Sequence, residues 1–168
     1  MKRKTLATLV AAVCLVALAG ALPAQAAVIS LGIIQRGSES LTYGYGEFDL
    51  LPTLAAGLQL RSDEVFVVSL WQGAGNGIYF EVEFDAAGAN KELLELGVWR
   101  RVPVANTVDL SGWLGVQSRL GGPSIWVKAN AELAFRLTNT AGVFFGGSAT
   151  LLKKDSVTAT YIGVGHYF

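Results

Sequence analysis

Hydrophobic and polar residues alternate along most of this chain. Over residues 125–136 one row reads Ile125, Val127, Ala129, Ala131, Leu133 and Phe135, and the other Trp126, Lys128, Asn130, Glu132, Ala134 and Arg136. Successive side chains of a strand point to opposite faces, so the pattern predicts a strand with one apolar and one charged face. Residues 78–85 repeat it, with Ile78, Phe80, Val82 and Phe84 against Tyr79, Glu81, Glu83 and Asp85. Residues 107–117 repeat it again, with Val108, Leu110, Leu114 and Val116 against Asp109, Ser111, Trp113 and Gln117. No stretch beyond residue 27 carries convincing helical periodicity.

Softer versions of the same alternation extend the prediction to ten strands, near 28–34, 41–49, 53–61, 65–71, 78–86, 93–101, 107–118, 125–136, 140–151 and 157–168. The count falls to eight if the first two strands or the 65–71 segment are misread. That segment, Val-Phe-Val-Val-Ser-Leu-Trp, is apolar on both faces and fits the scheme least. Pro52, Pro103 and Pro123 fall between the predicted strands, where a missing N–H harms no ladder. Several strands are about ten residues long, the length a tilted strand needs to cross a bilayer core. The connections are short, and none offers the long loop on which receptors and barrel enzymes carry their function.

Composition narrows the classes. The 168 residues are 52% hydrophobic and 15% charged, which excludes intrinsic disorder. Thirteen basic residues balance thirteen acidic ones, with no basic block after the first four residues, so nucleic-acid binding has no electrostatic footprint. One Cys excludes a disulfide scaffold, and one His leaves no basis for a metal site. No cofactor is expected.

Residues 1–26 read as a cleavable secretory signal. Lys2, Arg3 and Lys4 form a positive n-region, Leu6 to Ala21 an apolar h-region, and Ala24-Gln25-Ala26 a cleavage site. Cys14 lies inside the h-region, not at a lipoprotein anchor position. Residues 27–168 then form a single domain without Cys and with a modest acidic excess. A Cys-free exported chain suits a bacterial periplasm or outer membrane.

Such strands close in one of two ways. A soluble, calycin-like periplasmic barrel puts the apolar rows inside, around an apolar ligand. A membrane barrel puts them outside against lipid and the polar rows in the lumen. The chain ends Tyr161-Ile162-Gly163-Val164-Gly165-His166-Tyr167-Phe168. This ending resembles the C-terminal β-signal of small Gram-negative outer-membrane barrels of the OmpX/OmpA type. The resemblance is specific over about these eight residues and departs at His166, where that family usually has an aromatic. It implies an all-β, antiparallel up-and-down transmembrane barrel in the outer membrane. It also implies that Phe168, with Tyr161 and Gly163, marks the last strand for the barrel-assembly machinery. The expected partners are that machinery during insertion and outer-membrane lipid afterwards, around a monomer.

On the membrane reading, the polar rows furnish a lumen network. Its acids are Glu81, Glu83, Asp85, Glu95, Asp109 and Glu132, and its bases Arg61, Arg101, Arg119, Lys128 and Arg136. A barrel of eight to ten strands has an interior that side chains nearly fill, so a salt-bridged plug is expected, with a narrow ion or solute channel as the alternative. Gly32, Gly44, Gly46, Gly57, Gly97, Gly115, Gly146, Gly163 and Gly165 are expected to point inward beside bulky neighbours. Catalysis finds little support. His166 shares a row with Val164 and Phe168 and has no Ser close in sequence, and Glu81, Glu83 and Asp85 read as lumen lining rather than a glycosidase pair. No catalytic residue is assigned. A structural role in the envelope is the expected function.

Overall fold

The computed structural model describes residues 27–85, 92–119, 125–151 and 157–168. The predicted signal segment, and the connections at 86–91, 120–124 and 152–156, lie outside the described residues. Ten strands follow one another: β1 (Ala27–Arg36), β2 (Glu39–Leu51), β3 (Leu54–Arg61), β4 (Val65–Gln72), β5 (Asn76–Asp85), β6 (Leu93–Ala105), β7 (Val108–Arg119), β8 (Ile125–Arg136), β9 (Ala141–Leu151) and β10 (Val157–Tyr167). Each pairs antiparallel with the next, and β10 closes on β1 through Gly32 opposite Gly163, giving an up-and-down barrel with no free edge around its circumference. Ten strands settle the count against eight.

Closure matters physically because an open strand edge leaves unpaired N–H and C=O groups, which lipid cannot satisfy. The described turns between strands are short. At the first, Gly37 takes φ +58°, a left-handed conformation free of Cβ strain, and lets Arg36 pair directly with Glu39. Ala27 and Phe168, the two ends of the described chain, and the connections at 52–53, 73–75, 106–107 and 137–140 lie at one rim.

The apolar rows point outward. Leu96, Val98, Leu114, Val116, Ile162 and Val164 each leave half or more of their surface exposed, whereas Tyr79, Glu95, Ser69 and Ser111 are buried. This overturns the soluble alternative, which required the apolar rows inside and the charged rows wetted. The fold is that of a transmembrane β-barrel.

Two local expectations are corrected by register, and the doubly apolar 65–71 segment is accounted for. Pro103 lies inside β6 rather than in a gap. Its strand runs on past the start of β5, since Arg100 pairs with Asn76, the first residue of that strand, and Arg101 N–H donates to the Gly75 carbonyl in the turn before it. Two residues on, the proline nitrogen faces the same open side, so its missing N–H removes no ladder bond. Gly44 and Gly46 face outward, because Leu31 pairs with Gly44 and Ile29 with Gly46, while Tyr43 and Tyr45 turn into the lumen. In β4, Val65, Val67, Ser69 and Trp71 form the inner row and Phe66, Val68 and Leu70 the outer one. Its apolar inner row reflects an aromatic rather than ionic section of the lumen.

Candidate functional site: the lumen

Glycines on the inner face decide how the lumen is filled. On β5, Tyr79 pairs with Gly97 of β6, which pairs with Gly115 of β7, which pairs with Lys128 of β8. With no side chain at either glycine, the tyrosine ring lies flat along the sheet: a Cβ on Gly97 would stand 2.6 Å from Tyr79 Cε1. The ring thereby delivers its hydroxyl to Glu95, which is 2% exposed, and donates a hydrogen bond to Glu95 Oε1. A second row repeats the construction on the far side of the barrel. There Tyr43 crosses Gly32 toward Gly163, and a Cβ on Gly32 would stand 2.6 Å from its Cε1. Tyr161, opposite Gly146, donates from its hydroxyl to Glu132 Oε2 at 2.9 Å.

Charges gather on the first of these walls. Lys128 Nζ lies 2.8 Å from Glu95 Oε2 and 3.3 Å from Glu81 Oε1. Toward the rim opposite the chain ends, Arg61 Nη2 lies 2.8 Å from Asp63 Oδ2 and 3.5 Å from Glu83 Oε1. Asp85 follows on the same inner row. At the rim that carries the chain ends, Arg136 Nη2 meets Asp109 Oδ2 at 2.8 Å. The Arg101 side chain donates to Ser111 Oγ, at 3.4 Å, and Arg119 lines the opposite mouth. The eleven predicted lumen residues therefore separate into the Lys128–Glu81–Glu95 triad, the rim pairs Arg61–Glu83 and Arg136–Asp109, Glu132 held by Tyr161, and Asp85, Arg101 and Arg119 toward the mouths.

An aromatic section occupies the half nearer the chain ends. Trp71 stacks on Tyr79 with ring centroids 5.0 Å apart, and meets Trp99 and Trp113 edge-on at 5.9 and 5.7 Å. Such pairs add about 0.5–1.5 kcal/mol each beyond their burial. A cavity of about 660 Å³ runs along the lumen, lined at one end by Val28 and Tyr167 and at the other by Arg36 and Arg119. Sequence reasoning missed Asp63, and it missed Tyr45 and Glu47, whose side chains join at 2.6 Å. The Tyr-Gly-Tyr-Gly run at 43–46 carried the signal for the tyrosines, but its phase was ambiguous.

Among the described residues no group of three or more His, Cys, Asp and Glu is arranged to hold a metal ion. His166 faces outward, its ring 4.5 Å from that of Phe168, whose side chain is exposed at the end of the barrel.

No protein-family profile and no curated protein sequence matches the chain. Solved structures do match in fold. The NanC porin superposes with a TM-score of 0.57 at 9% identity, covering 82% of this chain and 98% of that one. The N-terminal β-barrel domain of Pseudomonas aeruginosa OprF gives 0.44 at 12% identity, over 85% and 97%. Yersinia pestis Ail gives 0.46 at 14% identity, over 86% and 100%. What the chain shares with the NanC porin is the fold, a closed β-barrel of the membrane-spanning kind.

Proposed function

We propose that this chain is a small outer-membrane barrel with a structural role in the envelope and no catalytic activity. The observation that carries this reading is the inversion of the sheet: a belt of exposed apolar side chains outside, and ionised residues paired within. Interlocked side chains restrict the bore at the level of Lys128, Glu81, Glu95 and Tyr79. Residues 1–26 direct export and are removed. Phe168, with Tyr161 and Gly163, serves as the assembly signal of an OmpX/OmpA-type ending, and the folded barrel is a monomer in outer-membrane lipid.

One observation favours a second reading, a narrow channel. The lumen cavity touches residues at both mouths. Planar-bilayer recording separates the two. A structural barrel gives no reproducible single-channel steps. Reproducible steps that grow when Lys128 is shortened to Ala make the barrel a channel.

A further inference from the structure

The ten strands sort their charges with one exception. By alternation and register, the Asp, Glu, Lys and Arg residues of the described strands lie on inner rows, apart from Arg100. Its neighbours in β6, Trp99 and Arg101, line the lumen, and Arg100 itself is exposed on the outer wall. A charge facing lipid at mid-bilayer costs about 2–4 kcal/mol, but close to the interface the cost falls toward zero. On the β5 side Arg100 lies at the end of the wall, although β6 itself runs on to Ala105. Arg100 pairs with Asn76, the first residue of β5, next to the rim that carries both chain ends.

The surface around it has a shape. On its other side Arg100 pairs with Gly112. An added Cβ at Gly112 would meet nothing nearer than the Asn130 carbonyl oxygen at 3.8 Å, so the outer wall is bare there. Ile78, Val98 and Leu114 flank this gap, and with Arg100 and Asn76 they line one shallow depression. The apolar members suit a hydrocarbon chain. The guanidinium and the exposed Asn76 amide are donors at the end of that track. Arg100 makes no ion pair with any described residue.

We propose that this depression is a binding site for an anionic glycerophospholipid, with the phosphate on Arg100 and Asn76 and one acyl chain laid over Gly112 between Val98 and Leu114. The proposal rests on the membrane-spanning reading. Charge complementarity fixes the occupant: an outer-wall cation where β5 ends, beside an apolar groove with no carboxylate on the outer rows of the described strands, selects an anionic headgroup.

The test uses the purified protein and has two stages. Flotation with phosphatidylcholine vesicles comes first; a chain that floats with no vesicle overturns the membrane reading and this site with it. For the inserted barrel, native mass spectrometry then compares the first bound phosphatidylglycerol with phosphatidylcholine. The wild type is expected to prefer phosphatidylglycerol about fivefold, the value of one basic side chain at an anionic surface. Arg100→Gln is expected to bring the ratio near one, while Arg100→Lys and the lumen control Arg101→Gln keep it. Flotation together with an unchanged preference in Arg100→Gln overturns the site and leaves the barrel standing.

Discussion

Two neighbouring rungs cross the same four strands, one residue apart. The inner rung is Tyr79, Gly97, Gly115 and Lys128; the outer is Ile78, Val98, Leu114 and Ala129. Backbone, pairing and depth are nearly identical, yet the chemistry is opposite. The inner rung sets two absent side chains between two long polar ones, because a closed interior must be filled without clash and each buried charge must find a partner. The outer rung is uniformly apolar because its solvent is a hydrocarbon that asks for no fixed shape. An inner position therefore depends on its particular neighbours, whereas an outer one depends only on polarity.

The largest break in that comparison is on the inner rung. Lys128→Ala strands the carboxylates of Glu81 and Glu95, and is expected to destabilise the barrel by about 3–5 kcal/mol in urea unfolding from phospholipid vesicles. On the outer rung, Leu114→Arg places a charge midway along β7, and the same assay should register a loss of about 2–4 kcal/mol. Glycine substitutions sharpen the contrast. Gly97→Ala drives a methyl group into the Tyr79 ring and the Leu114 carbonyl, for a loss of about 1–3 kcal/mol, whereas Gly112→Ala on the open outer wall stays within about 0.5 kcal/mol of wild type.

A small, pH-dependent effect is expected at a turn outside the strands. Burial raises the Asp63 carboxyl, but its hydrogen bonds and ion pair with Arg61 outweigh this and hold it below the usual range. A depressed folded value adds stability above the unfolded value of about 3.9 and loses it as pH falls through the folded one. Asp63→Asn should therefore cost under about 1 kcal/mol at neutral pH, a difference that closes in acid. An equal deficit at every pH would remove Arg61 as its cause.

Much of this architecture was legible because alternation is a local property. Residues 125–136 form β8 with the same bounds in sequence and structure, and the inner row of β5 is the one its pattern gives. What alternation cannot supply is phase in weak segments and register between strands. The run at 43–46 alternates Tyr and Gly, and either phase is self-consistent until Leu31 pairs with Gly44. The 65–71 segment looked wrong because its partner, the Tyr79 ring, belongs to another strand. The ion triad joins residues 33 and 47 positions apart, so its membership, though not its pairing, was visible in the inner rows.

The central claim is the direction in which each row of β8 faces. Spin labels on single cysteines introduced one at a time at residues 126–133 of the Cys-free chain 27–168, in phospholipid vesicles, report it through oxygen accessibility. The account predicts maxima at Val127, Ala129, Ala131 and Leu133 and minima at Lys128, Asn130 and Glu132. The opposite phase, with oxygen richest at Lys128, Asn130 and Glu132, would contradict it.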